Sequence, residues 1–312
     1  MKVLVIGGTG WVGHSIAREL WTLGVDVTIL SRGKMSSFTG DVAEIPSIQA
    51  DKKDEASMKE ILSARYTHII DSVPSAESIG FIRKYAGNLH HYIHCSSTGG
   101  YAPLPFVPCD ETAPYGGFNS TTGWYQKKML DNLALEAFLE EGFPATVIRP
   151  CYITGVGKLP LDNLGGRRED FIPDILAEKT LDLPDNGLAL LQPIHVADLA
   201  HSFVLAMEHP RSIGQVYNIT LDHAVTLNRY LEINAAVFGL KPHINYMSVD
   251  AMLAKYGTSI SENGLRFLAT HMCFTNEKAR RDLDFVPAHT PEEAIEETAL
   301  WTARQFSSEK AR

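Results

Sequence analysis

A doubly wound parallel α/β sheet with a smaller C-terminal lobe is the fold this sequence predicts, and two observations predict it. The first is a glycine string, Gly7-Gly8-Thr9-Gly10-Trp11-Val12-Gly13, set between an apolar run at Lys2–Ile6 and a helical stretch that reaches Leu23. The second is the alternation of strand-like and helix-like segments through the first half of the chain. Such alternation builds a parallel sheet with helices on both faces.

The elements follow in order. Lys2–Ile6 is a continuous apolar run, as expected of a strand buried on both faces. Gly7 lets the chain turn tightly off that strand. Gly10 admits a pyrophosphate against bare backbone, and Gly13 lets the helix pack close. The free N–H groups and positive end of the helix then face the phosphates. This is the Rossmann arrangement. Residues 25–31 read as a second strand and 48–51 as a short third. Residues 56–64 are helical, 67–72 a fourth strand, 76–89 helical and 91–96 a fifth strand. Residues 123–141 give the best helical pattern, with Leu130, Leu133, Ala134, Ala137 and Phe138 on one stripe and Gly142 as a stop signal. Residues 145–149 form a sixth strand. After Pro150 the alternation weakens, and glycine and proline become frequent. A helix at 196–208, a strand at 216–219 and helices at 227–238, 276–283 and 291–306 are still legible. We therefore place a dinucleotide-binding domain at 1–155, with 188–222 returning to it. A smaller lobe takes 156–187 and 223–306, and 307–312 is a tail.

Bulk properties exclude several classes. The formal net charge is −9 and no block of basic residues occurs, which argues against a nucleic-acid partner. The four cysteines (Cys95, Cys109, Cys151 and Cys273) show no paired spacing, as expected of a cytoplasmic protein with buried thiols. No apolar stretch approaches the ~20 residues of a membrane span. His91, His94 and Cys95 invite a metal reading, but His94 faces the other side of the strand and no carboxylate completes the set, so no metal is expected.

The end of the second strand bears on the cofactor. An acid usually stands there to hold the adenosine ribose. Here the strand ends Ile29-Leu30-Ser31-Arg32-Gly33-Lys34, without a carboxylate. A small hydroxyl followed by Arg32 and Lys34 suits a 2′-phosphate, so NADP(H) is favoured over NAD(H). Asp51, after the third strand, is placed for the adenine amino group.

The glycine string, Cys95-Ser96-Ser97-Thr98-Gly99-Gly100-Tyr101, Arg149-Pro150-Cys151-Tyr152-Ile153-Thr154-Gly155 and Pro193-Ile194-His195-Val196-Ala197-Asp198-Leu199-Ala200 together resemble the extended short-chain dehydrogenase/reductases, the NAD(P)-dependent epimerase/dehydratase family. The resemblance spans nearly the whole chain. It implies a cofactor set of Gly7, Thr9, Gly10, Trp11, Val12, Gly13, Ser31, Arg32, Lys34, Asp51, Ser72, Val73, Lys127, Pro150, Tyr152 and Ile153. It also implies a catalytic tyrosine, a lysine four residues on and a Ser or Thr sharing the hydrogen bond. Ser97 fits the last. Thr98-Gly99 stand where sugar dehydratases of the family carry Asp-Glu, which argues against dehydration.

The tyrosine departs from the family pattern. Tyr125 has Met129 four residues on; Lys127 has Gly123 and Lys128 has Trp124 four residues before. Lys127 is the better cofactor lysine, since Leu130, Leu133 and Ala134 follow it in the stripe, whereas Lys128 would put Asp131 there. Tyr125, Tyr101 and Tyr152 are candidate acids. Three functions remain open: an NADP-dependent reductase or epimerase acting on a secondary alcohol or ketone of a small sugar-like or polyol metabolite; a cofactor-binding regulator or scaffold without turnover; or a protein resembling the chloroplast stem-loop RNA-binding members of the group, which the acidic charge disfavours. Leu191 stands where nucleotide-sugar enzymes of the family place an arginine. Arg167 and Arg168 are candidate holders of a substrate anion, and His195 is placed beside them as a positioning histidine. A homodimer through the helices at 76–89 and 123–141 is what the resemblance implies.

Overall fold

The computed structural model describes residues 1–33, 43–116 and 123–309, the side chains of 123–124 and 307–309 excepted. Seven parallel strands form one sheet: β1 (Lys2–Ile6), β2 (Asp26–Ser31), β3 (Ser47–Gln49), β4 (His68–Asp71), β5 (His91–Cys95), β6 (Ala145–Pro150) and, later in the chain, β11 (Val216–Ile219). Their spatial order is β3-β2-β1-β4-β5-β6-β11. The order reverses between β1 and β4, so a crevice opens there at the carboxyl ends of the strands.

Successive residues of β1 point to opposite faces and so seed two cores. Val3 and Val5 pack with Ile16 and Leu20 of α1 (Trp11–Thr22) and with Leu199 and Phe203 of α6 (Val196–Glu208). Leu4 and Ile6 pack with Met58 of α2 (Glu55–Leu62), Ile79 of α3 (Ala76–Tyr85) and Ala134 of α4 (Gly123–Glu141). Asp54 caps α2 by accepting from Ser57 N, and Ser75 caps α3 in a reciprocal box with Ser78.

A third core belongs to the smaller lobe and includes Phe171, Leu183, Tyr230, Leu231 and Met252. Its elements are short. Parallel pairs join β7 (Tyr152–Thr154) to β10 (Pro193–His195), and β8 (Thr180–Pro184) to β13 (His243–Met247). An antiparallel pair joins β9 (Leu190–Leu191) to β12 (Val225–Thr226). The lobe helices are α5 (Phe171–Leu176), α7 (Leu227–Ala236), α8 (Val249–Tyr256), α9 (Glu262–Leu268) and α11 (Pro291–Glu309), whereas α10 (Glu277–Leu283) buries Ala279 and Leu283 in the core of Val3 and Val5. Strands of two or three residues carry too little alternation to be seen in sequence, which is why β7, β9, β10 and β12 were not expected. No described helix is long and apolar enough to cross a membrane.

The sheet also buries a titrating group. His91 is buried, with Nε2 2.7 Å from Thr146 Oγ1. Burial, helped by the neighbouring His68, holds its pKa down at about 4. Above pH 6.5 both folded and unfolded chains keep this ring neutral. Between pH 6.5 and 4 only the unfolded chain takes the proton, so the fold loses stability as pH falls. We expect this group to cost about 3 kcal/mol across that window. Urea unfolding at stepped pH should give a shallower acid slope in His91→Gln; an unchanged slope would refute the assignment.

Candidate active site

The glycine turn opens the crevice. Gly7 has φ +82°, and a Cβ at Gly13 would strike the Gly7 carbonyl. Only Gly10 is open on its Cβ side, with nothing nearer than the Gly7 carbonyl at 3.3 Å. Gly10 N donates to Gly7 O at 2.9 Å, and Gly10 begins α1 with no side-chain cap. The first helical N–H groups therefore face the crevice, as an anion site requires. Ser72 Oγ donates to Ile6 O at 2.9 Å and sits behind this turn, packed against Gly7 and Gly13. A backbone cradle that a Cβ would fill is what a dinucleotide's pyrophosphate needs, so the residues present fit that group.

A cavity of about 360 Å³ extends from this turn across the ends of β2 and β3. Gly7, Thr9, Gly10, Ser31, Arg32, Asp51 and Val73 all line it. Ser31 Oγ accepts from Gly33 N at 3.1 Å, and Arg32 is exposed at the rim. Asp51 Oδ1 accepts from Lys53 N at 2.9 Å, which shapes the turn after β3. Lys34 lies outside the described residues. Trp11 leans out of the turn, and its indole N–H donates to Val156 O at 2.7 Å.

At the end of β5, Lys127 Nζ donates to Cys95 O at 3.1 Å. Lys128 instead lays its methylenes against Gly116, where a Cβ would overlap them. Ser97 starts a 3-10 turn and accepts from Gly99 N at 3.1 Å. Tyr125 is not brought to Ser97. It lines a separate groove with Val73, Pro74 and the start of α3. The reason is helical geometry: two residues of separation turn Tyr125 well away from Lys127.

Beneath Ser97 lies a charged network that the sequence reading missed. Asp131, fully buried, bonds His94 Nε2 through Oδ1 and Arg149 Nε through Oδ2, each at 2.9 Å. Burial pushes the Asp131 carboxyl up, but His94 and Arg149 outweigh it and hold the carboxyl below its usual range. Arg149 also donates to Tyr101 Oη at 2.6 Å and lies 3.5 Å from the centre of the Tyr115 ring. Tyr115 donates to Ser97 O at 2.7 Å, with Ser96 Oγ at 3.2 Å. Burial pushes Tyr101 up to about 12 and Tyr115 well above the ordinary phenol range, so both hold their protons. Asp131 seemed a misfit in an apolar stripe. The signal that finds it is its place four residues after Lys127, on the same helix face, with an arginine on the neighbouring strand.

A second cavity, about 120 Å³, lies on the lobe side of Ser97. Tyr152, Leu161, Leu191, Phe267, Met272 and Phe274 line it with Ser97, and among the described residues no charged one does. Tyr152 Oη accepts from Leu161 N and lies 3.5 Å from Tyr230 Oη. Pro150 and Ile153 flank this segment: Pro150 O accepts from Thr98 Oγ1 at 3.2 Å. Cys151 also lines the cavity, but burial raises it to about 12, and Cys95 to about 11, so both are thiols rather than nucleophiles.

The two arginines are spent on the loop that carries them. Arg167 donates to Ile153 O at 3.0 Å and to Leu159 O, and lies 4.8 Å from the Tyr152 ring centre. Arg168 pairs with Asp170 at 2.8 Å and Asp162 at 3.5 Å. His195 caps α6 by accepting from Ala197 N at 3.3 Å, and its Nε2 lies 2.6 Å from Glu297. Burial and the nearby His289 hold its pKa down, against the pull of Glu297. His195, Asp198 and His289 bring ligand-type atoms within 4.8 Å of one another. The His195 and His289 rings stack at 3.8 Å, however, and Asp198 already accepts from Ala288 N, His289 N and His289 Nδ1. Stacked rings aim their lone pairs along nearly parallel planes, not at one point, so this cluster fastens α6 to the segment before α11.

Comparison with known proteins agrees with this geometry. The chain is 26% identical over 301 residues to the chloroplast stem-loop binding protein of 41 kDa b of Arabidopsis thaliana, covering 92% of this chain and 75% of that one. It is 24% identical over 335 residues to a UDP-glucose 4-epimerase of Corynebacterium glutamicum, covering 96% and 94%. The dTDP-glucose 4,6-dehydratase of Bacillus anthracis, solved in complex with NAD, superposes with a TM-score of 0.78 at 17% identity over 98% of each chain. The model of the NAD dependent epimerase/dehydratase family matches residues 3–220, and with the glycine turn and the 3-2-1-4-5-6 order of the first six strands in place, the chain belongs to that family.

Proposed function

We propose that this protein is an NADP(H)-dependent oxidoreductase or epimerase acting at a secondary alcohol or ketone of a small, sugar-like or polyol substrate. The observation that carries this reading is the pair of cavities at one sheet edge: a dinucleotide crevice beside an uncharged pocket into which Ser97 and Tyr152 both face. A nicotinamide dinucleotide held here would accept a hydride from, or return one to, the carbon bearing the oxygen. Ser97 holds that oxygen by a hydrogen bond, and Lys127 holds the nicotinamide ribose. Tyr152 is the hydroxyl best placed to move the proton, since Tyr101 and Tyr115 are engaged beneath the turn and Tyr125 faces another groove. The pocket's uncharged lining, with Leu191 in it, supports a substrate part without phosphate. The net charge of −9 supports a small molecule over a nucleic-acid stem-loop, the kind of partner the Arabidopsis relative's name suggests. Exposed Met129 and Leu139 on α4 suit a homodimer.

Cofactor choice rests on Ser31 and Arg32 at the end of β2, where no carboxylate stands. Fluorescence titration should give tighter binding of NADPH than NADH. Arg32→Ser should weaken NADPH about tenfold or more and leave NADH nearly unchanged. A wild-type preference for NADH would overturn the NADP assignment.

A further inference from the structure

Lys52 is a buried cation that the expected site does not use. It follows Asp51 at the end of β3, and its Nζ is buried without a hydrogen-bond acceptor among the described residues. The side chain is 15% exposed. Its one close carboxylate is Asp71, the last residue of β4, fully buried and 3.6 Å away at Oδ1, too long for a directed hydrogen bond. Asp71 does not turn toward the lysine. Its Oδ1 accepts from Val73 N at 3.1 Å and its Oδ2 from Ser78 Oγ at 2.9 Å. The carboxylate is thus fixed by backbone and by the α3 cap, and the ammonium is parked beside it.

The neighbour in sequence behaves differently. Lys53 lines the same two cavities as Lys52 but has its own acceptor, Glu77 at 3.2 Å, while its backbone N–H closes the turn on Asp51. That turn sends Lys52 inward along the sheet edge. There it lines both the dinucleotide crevice and the adjoining groove beside Val73. Burial lowers its pKa, against the pull of Asp71, and the ammonium of Lys127 lowers it a little further. An ammonium buried with no acceptor costs several kcal/mol unless something completes it. Nothing among the described residues does so.

We propose that Lys52 is a cofactor-binding residue whose side-chain nitrogen, held 3.6 Å from the Asp71 carboxylate, donates to a ribose hydroxyl or phosphate oxygen shared by NADP(H) and NAD(H). This rests on the crevice being a dinucleotide site. Such an oxygen offers the acceptor that the protein withholds, and Asp71 is the counter-charge that lets the ammonium wait for it. The role is distinct from the one proposed for Arg32, which would discriminate at the 2′-position.

The test is direct titration of the full chain with NADPH and NADH, following nucleotide fluorescence, in wild type, Lys52→Met and Lys52→Met/Asp71→Asn. The double variant removes both buried charges, so an effect of an orphaned Asp71 on the fold is separated from loss of the donor. We expect both variants to bind both nucleotides about tenfold to a hundredfold more weakly, by equal factors, with unfolding of the double variant near wild type. Unchanged affinities in either variant, or a loss confined to NADPH, would overturn the proposal. Failure of the wild type to bind either nucleotide would instead defeat the reading of the crevice itself.

Discussion

Asp131→Leu should lose about 3–5 kcal/mol of folding stability, the usual cost of removing one partner from a buried ion pair. The carboxylate is fully buried between His94 and Arg149, and Arg149 keeps only a small exposed edge. Removing Asp131 leaves a guanidinium in the core with its Tyr101 bond and two aromatic rings, none of which balances its charge. Asp131→Asn should cost less, because the amide oxygen still accepts one bond. Asp131→Leu/Arg149→Met should recover much of the loss, since a buried pair replaced by apolar groups of similar size is often near neutral. Urea unfolding followed by far-UV circular dichroism measures all three. A loss below about 1 kcal/mol in Asp131→Leu would mean the network is not structural. The effect should reach the site as well, because Tyr115, packed on Arg149, holds the Ser97 carbonyl.

That network also marks where the sequence stopped being informative. The Rossmann half was legible because its signals are local. Glycine spacing, an apolar run and a capped helix each show within a dozen residues, and β1, α4, α6 and β11 lie where periodicity puts them. Asp131, His94 and Arg149 are local to nothing. They come from a helix and two strands, and each looks like a polar fault in an apolar element until the sheet brings them together. The lobe was obscure for a second reason. Its strands pair across long separations, as β8 does with β13, or run to only two or three residues, too few for a period to emerge. Arg167 and Arg168 show the same limit: adjacent charges in a loop suggested an anion site, and their adjacency could not show that both also close that loop, Arg167 by hydrogen bonds to Ile153 and Leu159 and Arg168 by ion pairs with Asp162 and Asp170.

Tyr152→Phe should lower kcat about 10²- to 10⁴-fold while leaving the cofactor dissociation constant unchanged, the range removal of a general acid–base group produces. The expectation follows from elimination by place. A proton donor must share a cavity with the oxygen it serves, and Ser97 marks where that oxygen sits. Of the tyrosines around the β5 and β6 ends, Tyr152 shares the Ser97 cavity; Tyr125 lines another groove. Tyr101 and Tyr115 are held protonated beneath the turn, and their hydroxyls serve Arg149 and the Ser97 carbonyl. Ser97→Ala should fall by about 10²–10³-fold in kcat, as loss of one hydrogen-bond donor to a developing oxyanion does. Tyr125→Phe is the discriminating control. If Tyr152 moves the proton, Tyr125→Phe turns over at the wild-type rate. If Tyr125→Phe is dead and Tyr152→Phe is active, α4 must present its aromatic to the pocket in the working enzyme. The Leu161 amide that Tyr152 receives makes one further split possible. Tyr152→Phe leaves that amide unpaired and should raise KM as the β7–α5 loop loosens, whereas the fall in kcat belongs to the hydroxyl alone. A variant in which only KM rises would reduce Tyr152 to a positioning residue and leave the proton to solvent.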